Sequence, residues 1–439
     1  MAAGEDLLAA ATRAVAEALA GLPPRDHSGE AVDPRATVDP GEAAGVDEDA
    51  TLGFVFVSGG ESPVAAATLA HVAGLLPGVT VVGCTADGVI GGGAAVESAP
   101  AVAVWLARLP GCRLRSFHLE VMRSAESISV LGMPSRHDDD VVAILLADPW
   151  SFPVDGFVAR SADSLDGLPL VGGLASGSLG RGQSRLIVDG VIHDRGAVGV
   201  VLSGPVAVHS LVSQGCRPIG PAMTVTAAEG PAILELAGAP AVQRAREAVA
   251  TLPAEEQALA VRGLRLGLAM DEYAGHHGHG TFLVRGLLGV EGQPTAISAG
   301  EPVAVGRTVR FHLRDAEAAE VDLDAILQAF RQRPGGSDVA GALLFSCNGR
   351  GRAMFDRSDH DVRAVRRGLG AGPVAGFFAG GEIGPVGGRN HVHAFTASVL
   401  VFDAAAGSGR HDEVGRPETG DPDDIDADID AALRELTDD

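Results

Sequence analysis

Three long apolar runs recur along the chain, and each opens the same order of patterns. The runs are LGFVFVSGG (52–60), VVAILLADP (141–149) and GALLFSCNG (341–349). Unbroken apolar character over five to seven positions predicts strands buried on both faces. A helical stretch follows each one. In the first, Ser62-Pro63 supplies a cap and a proline at the first helical position, VAAATLAHVAGLL continues it, and Pro77-Gly78 stops it. The second is SFPVDGFVARSADSLDG (151–167) and the third lies near DHDVRAVRRGLG (359–370). Next come the glycine-rich nonapeptides GCTADGVIG (83–91), GGLASGSLG (172–180) and GFFAGGEIG (376–384), all fitting G-x-x-A-x-G-x-[IL]-G. A further apolar run closes each segment: APAVAVWLARL (99–109), GAVGVVLSG (196–204) and FTASVLVF (395–402).

The unit is therefore strand, helix, strand, glycine turn, strand, read three times as an internal repeat. A helix crossover makes its two flanking strands parallel neighbours. The expected fold is α/β, with duplicated strand–helix–strand units forming mixed, mainly parallel sheets and helices packed outside. RSFHLE (115–120) and RFHLRDA (310–316) read as upstream strands that each lead into a helix. Residues 205–307 carry strand patterns without a clear glycine motif, which leaves a degenerate fourth copy as an alternative.

Composition narrows the function classes. Acidic residues outnumber basic ones 57 to 33, for a formal charge of −24, which argues against nucleic acid or an anionic membrane surface as partner. No apolar run approaches the roughly 20 residues needed to span a bilayer. The N-terminal MAAGEDLLAAATRAVAEALAG reads as an amphipathic helix and lacks the basic start of a signal peptide, so a cytoplasmic protein is expected. Residues 1–50 form that helix plus an acidic disordered segment, and 404–439 an acidic disordered tail. Cys84, Cys112, Cys216 and Cys347 form no CxxC pair, which disfavours a zinc ribbon. No cofactor is expected.

Glycine turns at strand ends let a ligand approach the backbone, and free N–H groups there can hold an anion. For any single copy, a tight turn that only redirects the chain is the favoured reading. The third copy has more polar company: Cys347, Asn348, Gly349 and Arg350 at one strand end, and Gly381, Glu382, Gly384, Arg389, Asn390, His391 and His393 at the next. Both asparagines of the chain are among them. Cys84, Thr85, Asp87 and Gly88 occupy the matching place in the first copy, and Ser176 in the second.

FVFVSGG, VVGCTADGVIGGG, QGCRPIGPAMTVTAAEG (214–230), FLVRGLLG, FSCNGRG and GEIGPVGGRNHVHAFTASVLVF, in this order, resemble the FIST N-terminal and C-terminal domains. The resemblance covers about residues 50–403 and divides the chain into an N-terminal-like domain at 51–240 and a C-terminal-like domain at 241–403. It implies a stand-alone bacterial sensory protein that binds a small molecule, an amino acid or related polar metabolite. Lacking a kinase or cyclase segment, such a protein would signal through a separate partner.

Three chemistries then compete. In a binding module, Arg350 or Arg389 with glycine N–H groups would hold a carboxylate, Glu382 or Asp87 an ammonium, and Phe377, Phe378 and Val89 the apolar body. A thiol enzyme would use Cys347 or Cys84 with His391 or His393, oriented by Glu382. An interaction scaffold would bury the glycine turns against each other and use no pocket. HHGH (276–279) invites a metal reading, but a structural or chance role is the favoured one. QGCRPIG reads as a turn held rigid by Pro218, with Cys216 and Arg217 as further candidates for the cavity.

Overall fold

The computed structural model describes residues 2–3, 6–22, 50–59, 62–124, 127–177, 180, 182–273, 280–333, 338–370, 372–404 and 410–414. These fall into two compact units. One draws on residues 1–212, 330–392 and 398–414, the other on 213–329 and 393–397. The acidic stretch 26–49 and the HHGH cluster lie outside the described residues, as does the tail beyond residue 414.

In the first unit the three apolar segments build three sheets on one plan. The opening strands are Thr51–Ser58, Asp140–Ala147 and Val339–Cys347. Helices Ser62–Gly74, Val154–Ser164 and His360–Leu369 cross over to the second strands, Thr80–Ala86, Leu170–Leu174 and Val374–Ala379. Each second strand runs parallel to its opening strand. The closing strands Ala101–Arg108, Ala197–Ser203 and Thr396–Asp403 lie on the opening strand's other side.

Between second and closing strand the chain inserts a hairpin that the apolar pattern did not announce. The hairpins are Gly88–Gly91 with Ala94–Glu97, Leu186–Val188 with Val191–His193, and Glu382–Val386 with Arg389–His393. None joins the sheet of its own segment. The first pairs with the third segment's Val374–Ala379, the second with Thr80–Ala86 of the first, and the third with Leu170–Leu174 of the second. The exchange is cyclic, so each sheet is completed by a different segment.

Alternation along the strands explains the continuous apolar runs. Phe54, Phe56, Ile144, Leu146, Phe345 and Phe402 turn into one cluster shared by all three sheets. Phe56 meets Phe377 at 5.0 Å between ring centres, and Trp105 meets Phe402 at 5.1 Å. The intervening Val55 and Val57 face Leu7, Val15, Leu69 and Val72 of helices Leu7–Gly21 and Ser62–Gly74. Leu145 faces Val158 of the second crossover helix. A sheet covered on both faces has no polar side to display. Asp6 caps the N-terminal helix, its carboxylate accepting from the N–H groups of Leu8 (3.0 Å) and Ala9 (3.1 Å).

Several expectations need correction. The sheets are mixed but not mainly parallel: each crossover supplies one parallel pair, and the hairpin pairings are antiparallel. RSFHLE lies in Arg113–Arg123 and turns back into Ile128–Leu131, not into a helix. Residues 410–413 form a strand parallel to Ala207–Gln214. Glu413 there accepts from the N–H groups of Gly387 (2.8 Å) and Gly388 (3.0 Å), so the tail is tied down at its start.

The second unit has a different plan. Its sheet follows the order Phe282–Gly286, Leu264–Ala269, Thr308–Arg314, Cys216–Glu229, Ala232–Leu236, Gln293–Ser298 and Leu288–Val290. The pairings along this path are antiparallel, without the parallel strand pair that marks each segment of the first unit. A fourth copy in 205–307 is thereby excluded. QGCRPIG is not a loop: Cys216 to Ile219 pair with Arg314 to Phe311. Helices Ala241–Ala250 and Ala254–Gly263 pack on this sheet through Ala245, Ala248 and Ala260, against Leu266, Ile297 and Phe311.

Candidate functional site

The first glycine of each nonapeptide sits where two parallel strands come too close for a side chain. A Cβ on Gly83, Gly172 or Gly376 would lie 2.1, 1.9 or 1.7 Å from the carbonyl oxygen of Val55, Leu145 or Leu344. These are the residues opposite them in the parallel register. The motif's opening glycine therefore serves strand packing.

The turns after it are bound to one another. Leu174 donates to Gly381 O (2.8 Å) and Gly380 to Leu174 O (2.9 Å). The Ser176 hydroxyl accepts from Asp87 N (2.8 Å) and donates to Phe378 O. Gly177, at φ +76°, packs directly on Ala86 and Asp87. Thr85 N donates to Arg185 O (2.9 Å), and its hydroxyl accepts from Arg185 N (3.0 Å). Asn348 N donates to Ala379 O (2.8 Å). The backbone groups expected to meet a ligand are thus largely engaged inside the protein.

Arg350 is fully buried and paired. Its Nε donates to Asp361 Oδ2 (2.7 Å) and its Nη2 to Asp361 Oδ1 (2.9 Å), a two-pronged ion pair. Ser346 Oγ donates to the same carboxylate (2.6 Å), and His360 Nδ1 lies 3.1 Å from it. Burial alone would raise the Asp361 carboxyl. The Arg350 charge and the hydrogen bonds from His360, Arg350 and Ser346 outweigh it and hold the group well below the ordinary carboxylate range. Phe355 stacks on His360 at 3.6 Å and closes the cluster. Sequence reasoning singled out Arg350 but missed Asp361 and Ser346, since Arg350 and Asp361 each stand among other charged residues in the sequence.

Asn390 is equally committed. Its amide accepts from Leu170 N (2.9 Å) and donates to Ser161 Oγ and Leu168 O (2.9 Å each), pinning the third segment's hairpin to the second segment's crossover. Gly88, Gly381, Glu382, Gly384 and His393 are buried, and Gly349 and His391 half-buried. Asp87, Asn348 and Arg389 remain exposed. Burial pushes the Cys84 thiol up, out of reach of the thiolate form a nucleophile needs. Cys347 ends a strand of one sheet, whereas His391 and His393 belong to a hairpin of another. Among the described residues, no group of three or more His, Cys, Asp and Glu is arranged to hold a metal.

A cleft of about 560 Å³ lies in the second unit, outside the strand-end set. Helices Ala241–Ala250 and Ala254–Gly263 form one side, and strands Leu288–Val290 and Gln293–Ser298 with the start of Leu264–Ala269 the other. Val242, Val249, Leu264, Leu287 and Ile297 give it an apolar lining; its polar side chains are Arg246, Gln257, Arg265 and Gln293. Arg265 lies 4.6 Å from the Phe395 ring centre, and its Nη1 donates to Leu264 O (2.8 Å). Gln257 Nε2 donates to Leu252 O (2.8 Å). The volume falls within the usual range for small-molecule sites. Nothing in the sequence announced this cleft, because its walls are small apolar residues in ordinary helix and strand patterns.

Among the described residues, no helix is long and apolar enough to cross a membrane. Comparison with known proteins matches residues 51–239 to the FIST N domain and 241–385 to the FIST C domain. An uncharacterised protein of Mycobacterium tuberculosis strain H37Rv is 44% identical over 335 residues, covering 76% of this chain and 86% of that one. Another, of Mycobacterium bovis, is 40% identical over 367 residues, covering 82% and 94%. FIST domains are regarded as small-ligand sensory domains of signal transduction. With matches over most of its length and two such relatives, this chain belongs to the FIST family.

Proposed function

We propose that this protein is a small-ligand sensor of the cytoplasm, that its ligand sits in the cleft of the second unit, and that it passes its signal to a separate protein. The ligand class is a carboxylate-bearing metabolite, an amino acid or a relative of one. The observation that carries the reading is the cleft itself: about 560 Å³, apolar in its walls, with two arginines and two glutamines among its lining residues. Such a mixture of apolar body and few polar groups is what orients a small molecule. In this reading the glycine turns are scaffold, the outcome of an internal repetition of the strand–helix–strand segment.

The test is a thermal-shift screen of the full chain against amino acids and small organic acids. A ligand that binds only the folded state raises the apparent melting temperature in a saturable way. Ala250→Trp, at an exposed lining position, is expected to abolish that shift. A screen without any saturable shift would overturn the sensor reading. A shift that ignores Ala250→Trp but responds to Asn348→Ala or Arg389→Ala would move the ligand to the exposed strand ends of the first unit.

A further inference from the structure

Three features of the cleft bear on what it accepts, and the first is the sign of its charge. Its lining includes Arg246 and Arg265 but neither aspartate nor glutamate. The chain as a whole carries 57 acids against 33 bases, so a wall with only positive side chains runs against its composition. An ammonium group placed there would lose hydration beside two guanidinium groups without gaining a counter-charge. A carboxylate would gain two.

The second feature is that Arg246 is unspent. It is exposed at the cleft and has no ion-pair or hydrogen-bond partner among the described residues. Arg244, two positions earlier, is tied to Glu247 (2.9 Å) and to the carbonyls of Leu236 and Ala237. A planar guanidinium without a partner at the edge of an apolar cleft is suited to two-pronged capture of a carboxylate. The third is Gln293, whose Oε1 is buried without a hydrogen-bond donor among the described residues. A buried acceptor without a donor is costly, and the soft terminal torsion of glutamine lets it turn to a ligand's N–H.

We infer that the cleft takes a singly negative carboxylate with an apolar body and a neutral N–H donor, the pattern of an N-acylated amino acid, in preference to a free zwitterionic one. The inference rests on the cleft being the sensory site and narrows its ligand. The acyl chain and side chain lie on Val242, Val249 and Ile297, the carboxylate meets Arg246, and the amide N–H meets Gln293. Acylation removes the one charge the cleft cannot match.

The experiment is calorimetric titration of the full chain with four probes of similar body: N-hexanoyl-L-leucine, its carboxamide, L-leucine and L-leucine methyl ester. The expected result is saturable binding of N-hexanoyl-L-leucine, about tenfold or more tighter than any of the other three. Added salt weakens it, Arg246→Ala weakens it about tenfold, and Arg246→Lys restores part of the loss. Gln293→Leu lowers the affinity for the acylated probe and leaves its preference over the carboxamide intact. Equal or tighter binding of leucine, the carboxamide or the ester, still blocked by Ala250→Trp, overturns the ligand class and leaves the site standing. Binding indifferent to Ala250→Trp, or no binding by any probe, overturns the site and the class together.

Discussion

In the first unit, apolar side chains cover the sheets on both faces, and the turns at the strand ends are bound to one another by backbone hydrogen bonds. In the second, a single antiparallel sheet carries two short helices, and a cleft of about 560 Å³ remains between helices and strands. Of the polar residues that look most like a binding site in the sequence, Ser176, Arg350 and Asn390 belong to the first unit and hold its parts together. The second unit holds the cavity with no motif to mark it. Glycine-rich turns and buried charges are thus ambiguous signs, because close backbone packing and ligand approach ask for the same residue types.

The contrast can be broken most forcefully at Arg350. Replacing it with alanine leaves the buried Asp361 carboxylate without its counter-charge and is expected to cost about 3–5 kcal/mol in denaturant unfolding. A loss below about 1 kcal/mol, the range of an exposed pair, would mean that the pair is not buried in solution. Gly376→Ala comes next, at about 3 kcal/mol, since its Cβ would fall 1.7 Å from Leu344 O and the parallel strands must part. A wild-type melting curve for that variant would contradict the close approach. Asn390→Ala removes the partner of Leu170 N and Leu168 O and is expected to cost about 1–3 kcal/mol, with faster hydrogen exchange in the Glu382–His393 hairpin.

Acid should loosen the edge strand at residues 410–413. Burial holds the His411 imidazole down to about 4; the Asp412 charge opposes this and His209 adds to it. Ser210 Oγ lies 2.7 Å from the His411 Nε2, and His209 Nε2 lies 2.9 Å from Asp403. The folded protein takes up that proton less readily than the unfolded chain. Its contribution is therefore present above pH 6.5 and lost as pH falls from 6.5 toward 4. Melting temperatures across that window should fall less steeply in His411→Gln, and an unchanged slope would assign the pH dependence to other groups. The smallest effect belongs to Arg246→Ala, which should leave ligand-free stability within about 0.5 kcal/mol, as expected for an exposed residue without partners. A larger loss would make it structural and weaken its place in the cleft.

Apolar continuity located the opening and closing strands of all three segments, and helix signals such as Pro77-Gly78 located the crossovers. These are local patterns, each set by the environment of a single element. The hairpin exchange was not legible, since the strand Gly88–Gly91 carries nothing that names Val374–Ala379 as its neighbour. Asn390 stood out in the sequence as one of two asparagines, but the groups it binds depend on the exchange. The second unit was read least well. Pro218 suggested a loop where the chain forms a strand, and the cleft walls alternate like any packed helix and strand.

The cyclic exchange of hairpins also governs how the protein can be made. A nascent chain delivers the 88–97 hairpin early, yet its pairing strand at 374–379 is synthesised only after residues 213–329 of the second unit have emerged. Until then the third sheet is missing and its future edge lies bare, a state that invites association between neighbouring chains. Native assembly of the first unit therefore waits on residues 374–379, far along the chain from the hairpin they receive.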